Sequence, residues 1–156
     1  MKTIFNFTVI FSLFFLFSCS DHSKESINNE ASLPDILLDK VSGLQVLNSS
    51  INNKKHTTAL LYGNQKTIQR IKSNGTQIEK GEKMVWITWN QKSDPNWFGA
   101  IIPGKLVSLE IIEFPAEKAT LQYQKFEGNP IHIQKDTIGN QHRIKIILQQ
   151  KMAILP

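Results

Sequence analysis

The densest chemistry in the sequence lies between Trp86 and Gly104, WITWNQKSDPNWFGAIIPG, which holds all three tryptophans. Trp86, Trp89 and Trp97, with Phe98 beside the last, could build an aromatic wall for a flat ligand or a sugar. Core packing is the competing use, because aromatic rings bury large areas and dominate small cores. Asp94-Pro95-Asn96 reads as a turn, with the Asp side chain bonding nearby backbone amides. Gly99 and Gly104 suit a close backbone approach or a positive φ. Three histidines, His56, His132 and His142, are spread through the domain without HxH or HExxH spacing. A haem axial position needs only one of them; the competing reading is a surface or hydrogen-bonded side chain. Glu110 and Glu113 flank Ile111-Ile112, and on a strand they would point to opposite faces, a poor acid/base pair. No serine sits in GxSxG and there is no Gly-rich phosphate loop. Neither a hydrolase nor a nucleotide site is recognisable, no catalytic residue is assigned, and catalysis would have to be built on a bound cofactor.

The remaining reactive group is the chain's single cysteine, Cys19. Lys2 starts the chain with a positive charge, and Ile4 to Phe17 is mostly Phe, Leu, Ile and Val. That pattern is a secretory signal, and the run is short of the ~20 residues that span a bilayer. Leu16-Phe17-Ser18-Cys19 looks like the lipobox of bacterial lipoproteins. Residues 1–18 are therefore expected to be an export signal, with Cys19 lipidated and 19–31 a polar tether. Several acyl chains on one residue give stable membrane anchoring where one does not. A lipidated Cys19 leaves no thiol for disulfides, cysteine nucleophiles or thiolate metal sites. The expected address is the bacterial envelope, with the outer membrane favoured over the inner. Nucleic acid is not an expected partner of an exported, tethered chain.

The elements that must position these residues follow from patterning. From Val41 onward 15 Lys+Arg stand against 8 Asp+Glu, after an acidic lead-in. No run exceeds two adjacent basic residues, so the charge reads as a solvating surface rather than a binding stripe. Residues 32–156 suit one small domain with one core. Ser32-Leu33-Pro34-Asp35 reads as a helix start capped by Ser32. The apolar positions Leu33, Ile36, Leu37, Val41, Leu44 and Leu47 follow at helical spacing. Asn48 to Lys55 reads as a loop. Thr57 to Tyr62 is a strand, and Asn64 caps a helix over about Gln65 to Ser73 that stops at Asn74-Gly75. Met84 to Gln91 is a strand with Met84, Trp86, Thr88 and Asn90 on one face. Further strands are expected over Trp97 to Ile102, closed by Pro103-Gly104, and over Leu106 to Phe114, Leu121 to Phe126 and Ile131 to Lys135. Gln141 to Leu155 fits a helix better than a strand. The fold class is α+β: mainly antiparallel β-sheet with flanking helices.

Several segments taken together carry a family resemblance. They are Leu61-Tyr62-Gly63-Asn64, Val85-Trp86-Ile87-Thr88-Trp89-Asn90-Gln91, Trp97-Phe98-Gly99-Ala100, Ile102-Pro103-Gly104, Phe126-Glu127-Gly128 and the closing Ala153-Ile154-Leu155-Pro156. The set resembles the small exported domains of the cytochrome P-460 family, over about Thr57 to Pro156. The resemblance implies an antiparallel sheet with flanking helices, often as a homodimer. It also implies, in haem-bearing members, covalent attachment through a C-terminal CxxCH and hydroxylamine or nitric oxide chemistry. This sequence reaches Pro156 without a CxxCH, so the fold carries over and the haem residues do not. The leading expectation is a non-catalytic binding or interaction module. The alternatives are a non-covalent haem protein, with His56, His132 or His142 as axial ligand, and a glycan- or envelope-binding lipoprotein using the tryptophans.

Overall fold

The computed structural model describes residues 27–135 and 139–153. Cys19, the signal segment and the start of the tether lie outside the described residues. The order of elements is α1 (Asp35–Val41), β1 (Gln45–Asn52), β2 (Thr57–Gly63), α2 (Gln65–Lys72), β3 (Lys83–Ser93), β4 (Ile101–Glu113), β5 (Gln122–Glu127), β6 (His132–Ile133) and α3 (Asn140–Leu148). The strands form one open six-stranded sheet in the order β1-β2-β3-β4-β5-β6, antiparallel at every step. The α+β class is therefore that of the described chain.

Both faces of the sheet are covered, and the period-two alternation of β3 divides its residues between them. Met84 and Trp86 join Leu47, Leu61, Ile112 and, from α3, Ile144 and Ile147. Val85, Ile87 and Trp89 join Leu109, Ile111 and, from α1, Leu37 on the other side. Ile87, Leu109 and Ile112 are wholly buried, each contributing roughly 1.5–3 kcal/mol through apolar area removed from water. Helix α2 is delimited as its sequence predicts. The Asn64 side chain accepts from the Thr67 amide at 3.1 Å, and its Nδ2 donates to the Gly81 carbonyl at 2.7 Å. Asn74 takes the left-handed conformation at φ 57, and the Gly75 amide donates back to the Arg70 carbonyl at 2.8 Å. Gly63, before the cap, is required by close approach: a Cβ there would sit 2.6 Å from Leu47 Cδ1.

Four local expectations are corrected. Asn48 to Asn52 is strand rather than loop, because β1 runs to Asn52 as a sheet edge; only residues 53–55 of the expected loop lie in the turn to β2. An edge strand needs few apolar residues, and Leu47 is the only one buried here. Leu44 and Leu47 do not prolong the first helix, which ends at Val41. Leu37 and Leu47 enter cores on opposite faces of the sheet, so their helical spacing is coincidental. Ser32 does not cap α1; its hydroxyl donates instead to the Asn28 carbonyl at 3.3 Å. Trp97 is not in a strand: β4 begins at Ile101 and runs through Pro103-Gly104. The register between β3 and β4 shifts there, with Trp89 opposite Leu106 and Gln91 opposite Pro103. This irregularity accommodates a proline that cannot donate to the ladder.

The end of the expected tether is part of the packed structure. The Trp89 indole N–H, inside the second core, donates to the Ala31 carbonyl at 2.9 Å. Asn28 Nδ2 donates to the Pro103 carbonyl at 2.7 Å, and Lys92 Nζ lies 2.6 Å from Glu30 Oε2.

Candidate ligand-binding cleft

Helix α3 covers only part of its sheet face. Where it stops, the cross-strand row Ser50, Ala59, Thr88, Ser108, Glu127 sets three short hydroxyls beside one small apolar residue and one carboxylate. The next row inward carries Trp86, Glu110 and Lys125 as successive partners. Together with Lys55, Tyr123 and Arg143 they line an open cleft of about 460 Å³, within the range of ~300–1,000 Å³ usual for small-molecule sites.

One wall of the cleft is a fixed polar cluster. Glu110 is almost fully buried, with 2 % of its surface exposed. Arg143, in the first turn of α3, grips it with Nε at 2.8 Å from Oε1 and Nη2 at 2.6 Å from Oε2. The Tyr123 hydroxyl donates to Oε1 at 2.5 Å. The Arg143 guanidinium also lies over the Trp86 ring, 5.4 Å from its centroid. Lys125 and Glu127 pair on the neighbouring strand. Both oxygens of Glu110 thus accept from charged or hydroxyl donors, which makes the cluster a rigid charged wall rather than a general base.

Burial, and the Glu110 carboxylate beside it, push the Tyr123 hydroxyl well above its ordinary value near 10, and burial raises Tyr62 as well. The native state therefore favours the neutral phenols. Their contribution to stability is complete below about pH 10 and is lost as pH climbs from there toward the higher native values. Absorbance of tyrosinate at about 295 nm should stay low in the native chain past the pH at which the urea-unfolded chain has half ionised. A native titration with its midpoint near 10 would contradict this assignment.

The four aromatic candidates are dispersed. Trp86 lines the cleft, whereas Trp89 belongs to the opposite face. Trp97 and Phe98 lie between β3 and β4 and are 73 % and 110 % exposed. Sequence proximity could not unite them, since Trp86 and Trp89 are an odd number of residues apart on one strand. The histidines are likewise separate. His56 sits in the turn between β1 and β2 with φ 50. His132 Nδ1 is 3.1 Å from the Pro130 carbonyl, and His142 is on α3. All three are exposed and line neither this cleft nor the second, a space of about 940 Å³ on the other face bordered by Pro34, Ile36, Leu106 and Ile131.

These residues do not fit a haem. Axial ligation uses His, Cys, Met or Tyr, and none of these lines the larger space. Tyr123 in the smaller cleft is held in its protonated form by burial and by Glu110. Among the described residues, no three His, Cys, Asp or Glu side chains come together as a metal site would need. The residues that assemble the cleft, Glu110, Tyr123 and Arg143, were not predicted as a set. The one available signal was a carboxylate at Glu110 inside the apolar run Leu109 to Ile112. No protein-family model and no curated protein sequence matches the chain, so its own residues must carry the functional reading.

Proposed function

We propose that this chain is a lipid-anchored binding module of the bacterial envelope, with a cytochrome P-460-like domain that lacks the covalent haem motif. Its cleft holds a small hydroxylated, weakly anionic solute such as a sugar acid. The observation that carries this reading is the polar row Ser50, Thr88, Ser108 set against a buried, fully hydrogen-bonded Glu110. Short hydroxyls on a rigid sheet offer donors and acceptors to a ligand's hydroxyls without ordering long side chains. The lining cations Lys55, Lys125 and Arg143 outnumber the carboxylates Glu110 and Glu127, and each of these carboxylates is already paired. The surplus favours an anion. Trp86 supplies an apolar surface, so a glycan reading survives in a form that uses one tryptophan rather than three. Anchoring through Cys19 rests on the lipobox; no described helix is long and apolar enough to cross a membrane.

Glucuronate titrated into the purified chain should change Trp86 emission saturably, and glucose should bind more weakly. Lys55→Ala, an exposed change, should weaken glucuronate roughly two- to fivefold, the size of one solvent-facing charge contact. Ser108→Leu should fill the cleft and abolish the response. Absence of any saturable response to either sugar, by emission and by calorimetry, would remove the proposal.

A further inference from the structure

The end of the β3–β4 hairpin is absorbed neither by the cleft nor by the core. Trp97 and Phe98 are largely or wholly exposed there, and Ile101, the first residue of β4 after the turn, is 57 % exposed. The turn is held rigidly. The Asp94 amide donates to the Ala100 carbonyl at 2.9 Å, and the Ala100 amide to the Trp97 carbonyl at 3.1 Å. Asp94 Oδ1 accepts from the Asn96 amide at 2.8 Å, and Gly99 turns the chain at φ 80. Two neighbouring aromatic rings are thus presented outward on a pre-ordered turn, against the usual preference for burying them.

The course of the N-terminal segment says what lies next to this tip. Read backward from the core, Ala31 is bonded to Trp89, Glu30 to Lys92, and Asn28 to Pro103. Lys92 pairs with Ile102, and Gln91 with Pro103, next to the turn that closes the hairpin. The described chain therefore begins at the turn end of this hairpin, with Ile27 itself 78 % exposed. Cys19 is eight residues earlier, a span of at most about 28 Å. A lipid on Cys19 would keep the turn end of the hairpin within that reach of the bilayer.

We infer that Trp97 and Phe98, with Ile101 and Ile27, form a membrane-docking tip that sits in the headgroup region of the bilayer carrying the Cys19 anchor. Tryptophan suits that zone because its ring is apolar and its N–H remains in reach of water. The acyl chains supply retention and the tip supplies orientation. The β1–β5 cleft is then fixed relative to the membrane instead of tumbling on a tether. The inference rests on the lipoprotein reading, and the test separates the two.

The full chain, made with its own signal and extracted in detergent, is reconstituted into phosphatidylcholine vesicles with brominated acyl chains. Mass measurement reports lipidation of Cys19 separately. Tryptophan emission should be partly quenched, and the quenched part should disappear in Trp97→Phe, because Trp86 and Trp89 are buried at 8 % and 6 % exposure. Phe98→Asp keeps all three tryptophans and should reduce the quenching. Emission that is unquenched, or quenched equally in Trp97→Phe, overturns the docking. So does a Trp97 shielded from aqueous iodide yet untouched by brominated lipid, which would assign the tip to a second copy of the chain. If the mass shows no lipid, quenching of Trp97 in chain added to the same vesicles still supports the tip, and its absence overturns it.

Discussion

Replacing Arg70 by Met is expected to destabilise the chain by about 3–5 kcal/mol, a fall in Tm of roughly 10–20 °C. Arg70 and Glu82 form the most buried ion pair among the described residues, with side chains 5 % and 1 % exposed. Arg70 Nε lies 2.8 Å and 2.9 Å from the two Glu82 oxygens. The Glu79 amide donates to Glu82 Oε1 at 2.8 Å, and Arg70 Nη1 donates to the Gly75 carbonyl at 3.2 Å. The pair thereby ties α2 to the segment that returns the chain to β3. Removing the guanidinium strands a carboxylate away from water, and that uncompensated charge dominates the loss. Arg70→Met combined with Glu82→Gln removes both charges and retains an acceptor for the Glu79 amide. Most of the stability should return in this double variant. Thermal melts of the three chains decide the matter; a double variant as unstable as Arg70→Met would mean that lost packing, not stranded charge, is responsible.

Arg143→Ala is expected to cost about 2–4 kcal/mol. The lower bound reflects the position of Arg143 at the cleft mouth, where its side chain is 35 % exposed and water can partly replace it. Glu110 would keep only the Tyr123 hydroxyl, and α3 would keep Ile144 and Ile147 as its contacts with the core. Trp86 would lose the cation above its ring, so its emission should shift to the red. Amide exchange should quicken first in α3, leaving β3 and β4 protected. Glu110→Gln retains a hydrogen-bond acceptor and should cost less than Arg143→Ala. An Arg143→Ala chain with unchanged Tm and unchanged emission would show that the cluster does not hold the helix.

The two ion pairs differ in what each positions. Arg70 and Glu82 brace a connection remote from solvent, whereas Arg143 and Glu110 brace the wall of a cleft. A carboxylate satisfied from three directions cannot move a proton readily, but it can hold a guanidinium at a set place and orientation. This is the physical reason for reading the cleft as a binding site. Its specificity would come from the short hydroxyls across the sheet, whose positions are set by the strand ladder rather than by side-chain rotamers.

Much of the architecture was legible locally. Alternation identified β3 and divided Met84 to Trp89 correctly between the two faces, but not Asn90, which follows the register shift and borders the space on the opposite face. Asn64 and Asn74-Gly75 delimited α2, because caps act through hydrogen bonds to residues a few places away. The antiparallel α+β class followed from strands joined by short turns. Local pattern failed at β1, where an edge strand of Asn and Ser looks like a loop. It failed again at Trp97, where a turn rich in aromatics looks like a strand.

What the sequence by itself determined is therefore strands β2 to β5 in outline, the ends of α2 and the motif around Cys19, each readable within a window of a few residues. Only the tertiary structure decided the site. Glu110, Tyr123 and Arg143 come from β4, β5 and α3, and no spacing rule links residues that meet through a sheet and a helix packed on it. The same packing separated Trp86 from Trp89, and it tied Asn28 and Glu30 to the turn end of the β3–β4 hairpin. Cross-strand register and the path of the N-terminal segment are long-range properties, set by which faces bury together.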